Sequence, residues 1–215
     1  MLSYIYADEI EDYPKLKKTM FQDRAVQFHD RLQWDVTVDE QGEERDEYDA
    51  MNPLYVIWQL PDGTHGGSMR ALPTTGPCMT NDHFKHIAGG DITSPLIWES
   101  TRFCLSPKVD GDAGRISAAI MLAGCEIGLA FGLKHAVGVF DARMVRIYRA
   151  LGWSPEILGT DGEGRNRISV GLWEFSDDIR LILCRKADVA PELSSLWIDA
   201  AFGLTRAPSI KSLAS

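Results

Sequence analysis

The chain has 215 residues, enough to bury a real core and short enough for one domain. Its 45% apolar and 25% charged residues are the balance of a soluble globular protein, and no run reaches the roughly 18 apolar residues that span a bilayer. A net charge of −9 excludes a broad nucleic-acid surface, which needs an excess of Lys and Arg.

The first residues, MLSYIYADEIEDYPK, are acidic where a secretory signal is basic and then apolar, so a cytoplasmic protein is expected. Residues 14–32 place Leu16, Met20, Ala25 and Phe28 at close to helical spacing and predict a helix. Residues 39–53 are acidic and turn-rich. Leu54–Leu60 and Gly67–Leu72 are apolar runs parted by Pro61-Asp62-Gly63, the pattern of two strands around a loop. Ile97–Leu105 reads as another strand.

Ile116–Phe131 predicts a helix with Ile116, Ala119, Ile120, Ala123, Ile127 and Ala130 on one stripe. Ala136–Phe140 is a short buried strand. Asp141 is placed to cap a helix over Arg143–Leu151, closed by Gly152. Ile168–Phe175 and Arg180–Arg185 predict a final strand pair around Ser176-Asp177-Asp178. Pro191–Phe202 predicts a terminal helix, with the last dozen residues fraying. No repeat or long linker divides the chain, so one domain over 1–215, mixed α/β around a single sheet, is expected.

The four cysteines, Cys78, Cys104, Cys125 and Cys184, are widely spaced with no C-x-x-C pair, which argues for small buried hydrophobes. His83 and His86 lack carboxylate or cysteine partners at metal spacing and read as surface polar groups, so no metal is expected. Gly111 and Gly114 are too sparse for a nucleotide loop, and no Ser–His–Asp or Cys–His set suggests itself.

Three arginines give the acidic run its interest. Arg24 sits among Phe21, Val26 and Phe28, Arg70 lies within a strand, and Arg102 lies between Trp98 and Phe103. A charge run alone reads as a solvated loop. Arginines in apolar surroundings need partners, and Asp46 and Asp49 are carboxylates that guanidinium grips bidentately. Alternation along 97–105 puts Glu99 and Arg102 on opposite faces unless a bulge intervenes. Glu99 with apolar neighbours would have a raised pKa, suited to accepting a proton from an amine, or would simply pair with an arginine.

Arg24, Phe28, Trp34, Asp46, Asp49, Arg70, Phe84, Glu99 and Arg102, within the blocks RAVQFHDRLQWDV, ERDEYDAMNPLY, MRALPTTGPCM and IWESTRF, resemble the motifs of the acyl-homoserine lactone synthases. The resemblance covers residues 1 to about 185. Cys78 and Thr101 depart from it, standing where an aromatic and usually a serine are expected. It implies a fold similar to the coenzyme A-dependent N-acetyltransferases, α+β with one mixed, mostly antiparallel sheet flanked by helices. Residues 1–35 would be a substrate-binding segment and 186–215 a terminal helix and tail. The strand 97–105 would splay from 136–140 to admit an acyl-pantetheine arm.

The implied reaction joins an acyl group from acyl carrier protein to the amine of S-adenosylmethionine, then closes the lactone and expels methylthioadenosine, giving a quorum-sensing signal. S-adenosylmethionine is then a substrate, and no cofactor is implied. Its sulfonium and ammonium suit acidic groups and aromatic faces, which Asp46, Asp49, Phe28 and Trp34 would supply. Arg24, Arg70 and Arg102 would lock the acidic loop, with Glu99 as base. Arg143, Arg146 and Arg149 share one helix face; alone they read as a solvated face, and with an acidic carrier as co-substrate they read as its docking site, extended by Arg165 and Arg167.

Met79, Phe103, Met121, Leu122, Val137, Val139, Phe140, Met144 and Ile147 are candidate acyl-chain walls or plain core. Gly138 and Phe140 stand where many relatives carry a threonine near a 3-oxo group, which leans towards chains without one. A coenzyme A-dependent acetyltransferase and a non-catalytic acyl-lactone binder are the competing readings.

Overall fold

Leu54, Val56 and Trp58 alternate with Tyr55 and Ile57 along one strand, and all five are buried, so this strand is covered on both faces. In the computed structural model, which describes residues 1–109 and 111–204, it belongs to a seven-stranded sheet. The strands are β1 (Leu2–Tyr6), β2 (Leu54–Gln59), β3 (His65–Pro73), β4 (Ile97–Leu105), β5 (His135–Asp141), β6 (Glu156–Asp161) and β7 (Ile168–Glu174). They run in the order β1-β2-β3-β4-β5-β7-β6. All neighbours are antiparallel except β4 and β5.

One face carries α1 (Pro14–Ala25), α2 (Met79–His83) and α3 (Lys85–Ala88). Leu16, Met20 and Phe21 of α1 meet Tyr55 and Ile57 there, and Ile87 of α3 meets Val137 and Val170. The other face carries α4 (Ala113–Ala130), α5 (Ala142–Leu151), α6 (Asp177–Ala187) and α7 (Pro191–Phe202), which share the largest core with Leu54, Val56 and Met69. Among the described residues α4 is the one helix long and apolar enough to cross a membrane, and 67% of it is buried inside the fold. All four cysteines are buried as free thiols.

Several expectations need correction. The helix expected over 14–32 is present but changes type: α1 ends at Ala25 and continues as a π-helix over Val26–Arg31. The segment 180–185 is part of α6, not a strand. Ser176 caps it by accepting from the Ile179 N–H, with acidic residues in its first turn and basic ones in its last, so the supposed turn is a helix start. Strands β1 and β6 and the short helices α2 and α3 were not expected. Fraying of the terminal dozen falls on residues beyond 204, outside the described ones.

Strands β4 and β5 pair only at Ile97–His135, Trp98–Ala136 and Glu99–Val137, then part. At the fork Gly138 brings its Cα against β4: a Cβ there would lie 2.9 Å from the Ser100 carbonyl oxygen. The fork is therefore as tight as glycine allows and opens towards Leu105 and Asp141.

A buried Ser–His–Asp line, not foreseen from the sequence, braces α1 against β3. His65 Nδ1 lies 2.7 Å from Asp23 and Nε2 lies 2.9 Å from Ser68, with His65 wholly buried. Sealed from solvent, the set is structural. Burial lowers the His65 pKa, against the pull of Asp23. Below about pH 6.5 the unfolded chain then binds a proton the folded one refuses, so stability falls as pH falls. His65→Gln is expected to flatten that slope, read from urea midpoints between about pH 7.5 and about pH 5.

Candidate active site

The acidic run folds because its carboxylates cap one another. Asp46 accepts from the Tyr48 N–H at 3.0 Å, and Asp49 accepts from the Asp46 N–H at 2.9 Å, closing a capping box on the 3-10 turn Glu47–Ala50. The loop presents three carboxylates to three guanidinium groups. Arg24 binds Glu44 at 2.6 Å and grips Asp49 with two bonds of 2.9 and 2.8 Å. Arg70 grips Asp46, reaches Asp49 at 3.0 Å and donates Nε to Thr101 Oγ1 at 3.0 Å. Arg102 bridges Glu44 at 2.9 Å and Asp46 at 2.8 Å.

Glu44, fully buried, is a member that sequence reasoning missed. Its one signal was its place at the head of the acidic run. Burial pushes the Asp49 carboxyl up, but Arg24, Arg70 and the Asp46 N–H overcome this and hold it well below the usual range. Three positive and three negative groups leave the cluster neutral. Asp49, Arg24 and Arg70 stand behind the cavity, while Phe28, Trp34, Asp46, Glu99 and Arg102 line it. Asp46 and Asp49 are thus occupied by arginines rather than left free for a cation. Phe28 and Trp34 stack at 5.2 Å and 11°, with Arg102 above the Phe28 ring at 5.4 Å.

Strand alternation would turn Arg102 away from this cluster. Between Ser68–Cys104 and Arg70–Thr101 the register slips, and Arg102 takes a left-handed backbone with φ of 54°. This bulge returns Arg102 to the face of Glu99 and Thr101. Glu99, 1% exposed, accepts from the backbone N–H groups of Met79 at 3.1 Å and Thr80 at 2.5 Å, anchoring the start of α2. Burial raises its pKa against these donors and Arg70. Tyr48 ties the loop to the same helix, donating its hydroxyl to Asp82 at 2.8 Å.

One cavity of about 1150 Å³ starts at these residues, passes the fork between β4 and β5, and continues between the sheet, α4 and α5. Of the candidate acyl-chain walls, Met79, Phe103, Met121, Val139, Phe140, Met144 and Ile147 line it. Leu122 and Val137 do not: Leu122 is sealed in the core, and Val137 points to the α3 face against Ile87 and Val170. Arg143 and Arg146 line it at the open end of the fork, and Arg149, Arg165 and Arg167 are exposed nearby in chain. His83 and His86 are exposed.

Removing one partner from a buried ion cluster strands the others, at about 3–5 kcal/mol. Glu44→Gln is expected to lower unfolding free energy by about 3 kcal/mol in urea titrations and to abolish turnover, because Arg24 and Arg102 each lose one of their two charged partners.

A family profile described as autoinducer synthase matches residues 9–180. An acyl-homoserine-lactone synthase of Rhizobium etli is 41% identical over 183 residues, covering 83% of this chain and 86% of that protein. A solved CoA-dependent acyl-homoserine lactone synthase, BjaI, with SAM and isopentyl-CoA, has a TM-score of 0.77 at 23% identity, over 88% of this chain and 90% of that one. An acyl-CoA N-acyltransferase from Pseudomonas aeruginosa has a TM-score of 0.52 at 12% identity, over 81% and 98%. Both likenesses concern the fold, and the expected similarity of fold to the coenzyme A-dependent N-acetyltransferases holds. With the profile spanning most of the chain and the Rhizobium relative matching most of both sequences, this protein belongs to the autoinducer synthase family and is an acyl-homoserine-lactone synthase, an acyltransferase.

Proposed function

We propose that this synthase transfers an acyl group from acyl carrier protein to the amine of S-adenosylmethionine, then closes the homoserine lactone and releases methylthioadenosine. The observation that carries this reading is the cavity's passage through the sheet at the fork, with Glu99 beside it. A polar, aromatic limb takes the amino acid and an apolar limb takes the chain, so amine and thioester meet between them.

The Phe28–Trp34 pair offers π faces to the sulfonium. Arg102 lies within reach of the same limb and meets the substrate carboxylate, while Arg24, Arg70 and Asp49 hold the loop behind it. The amine attacks the thioester carbonyl, and Glu99 takes its proton. Strand β4 has no β5 partner beyond the pair of Glu99 with Val137, so its free N–H groups can meet the oxyanion before the thiolate leaves. The carboxylate oxygen then forms the ring bond to the γ-carbon as the carbon–sulfur bond breaks, and the sulfonium leaves as a neutral thioether. S-adenosylmethionine is consumed as a substrate, and the scheme calls for no cofactor or metal. Both substrates belong to the cytoplasm, where the enzyme would then act.

Arg143, Arg146 and Arg149 are exposed on α5, two of them at the open end of the fork, where an acidic carrier would deliver its pantetheine arm. A coenzyme A thioester is the second reading, favoured by the fold shared with a CoA-dependent synthase.

Glu99→Gln is expected to cut kcat by about 10²–10⁴ with the fold kept, and wild-type kcat/KM should fall with decreasing pH along an acid limb above the ordinary carboxylate pKa, since a protonated Glu99 cannot accept. Unchanged lactone formation by this variant would reject the base. Arg146→Glu should raise KM for the acyl carrier about tenfold and that for S-adenosylmethionine little; equal changes in both, or none, would reject carrier docking on this face.

A further inference from the structure

Two hydroxyl groups on the α4–α5 side of the cavity have no task in this scheme. Ser117 is the one polar side chain on the stripe of α4 that lines the cavity, which otherwise consists of Ala113, Gly114, Met121, Gly124 and Ile127. It is 6% exposed. Tyr148 of α5 also lines the cavity, 7% exposed, with the rings of Phe140 and Trp173 at 5.3 and 5.0 Å.

Among the described residues neither hydroxyl has a hydrogen-bond partner in the protein, and neither oxygen is sealed from solvent: both open to the cavity. Their surroundings make that unusual. A serine or threonine in a helix commonly donates to a carbonyl one turn back, as Thr19 does to Lys15 and Leu16. The indoles that line the same limb are satisfied, Trp153 by the Glu174 carbonyl at 3.0 Å and Trp173 by the Trp153 carbonyl at 3.3 Å. A hydroxyl that opens only on a largely apolar cavity finds a partner only in what fills that cavity, a demand that alanine at 117 and phenylalanine at 148 would remove at nearly the same shape. Because both groups border the cavity, its occupant can supply the missing partner.

We propose that this limb selects acyl chains bearing an oxygen substituent, a hydroxyl or oxo group, which the Ser117 and Tyr148 hydroxyls hydrogen-bond. Each hydroxyl both donates and accepts, so it can serve an alcohol or a ketone. A plain hydrocarbon chain leaves both groups unpaired against apolar surface, and that difference discriminates between donors. The inference rests on the reading of this limb as the acyl pocket. It runs opposite to the lean that Gly138 and Phe140 suggest from the sequence, because it follows the chain's walls rather than one strand position.

The test uses the full chain with carrier-linked acyl groups of one length: unsubstituted, 3-oxo, 3-hydroxy, and hydroxylated at carbons farther out. These compete in one reaction, with lactones resolved by mass spectrometry. An oxygenated donor is expected to lead the unsubstituted one by about tenfold or more in kcat/KM, and Ser117→Ala or Tyr148→Phe should erase most of that ratio. Preference for the unsubstituted chain, or variants that lower every donor alike, would overturn the proposal. Met121→Phe, which narrows the same limb, separates the two readings: it should shorten the preferred chain. If chain length does not respond, the assignment of the limb fails, and the selection proposal with it.

Discussion

The structure depends on a neutral cluster of three guanidinium groups and three carboxylates held out of water between the sheet and an acidic loop. Arg24, Arg70 and Glu44 are almost fully buried. None could be there alone, since each would carry an uncompensated charge into a medium of low dielectric. Together they determine the path of 44–50, because each guanidinium has fixed donor directions that a displaced carboxylate could not meet. The loop in turn places Tyr48, which reaches α2 through Asp82, and α2 is held at its start by Glu99. A line of charge and hydrogen bonding thus runs from α1 to the one buried carboxylate at the fork.

The fork is the second constraint. A parallel pair inside an otherwise antiparallel sheet is linked by a crossover, here α4, which packs on one face only. Three residue pairs are enough to hold β4 and β5 together, and the rest of each strand is free to diverge. Divergence exposes ladder groups of β4 to the cavity instead of to a neighbouring strand. The bulge at Arg102 lies in this divergent part, where one extra residue costs no pairing with β5.

Much of this was legible in the chain. The span of β4, the cap at Asp141, the helix to Gly152 and the terminal helix all follow from alternation, capping residues and apolar spacing. The failures have physical causes. Ser176-Asp177-Asp178 suits a turn and a helix start equally, and only the placement of Ile179 and Leu183 against α4 decides. Strand β6 is exposed along most of its length and shows no alternation. At the site, Arg24, Arg70 and Arg102 announced themselves as charges beside apolar residues, and Asp46 and Asp49 as the carboxylates that could partner them. Glu44 did not, because nothing local distinguishes a buried glutamate from its solvated neighbours. The face of Arg102 turned on a positive φ that no residue type there advertises. Leu122 and Val137 were indistinguishable in sequence from true cavity walls, since core and pocket use the same side chains.

Because the cavity threads the sheet, the proposed function puts head and tail recognition on opposite sides of it. The limb proposed for the amino acid is built from the first hundred residues or so, and the limb proposed for the tail largely from residues after Leu105. On that reading, substitutions in α4 and α5 would alter which signal is made while the charged machinery stays intact. A lineage could change its dialect through a few side chains on two helices, without reinventing the enzyme that speaks it.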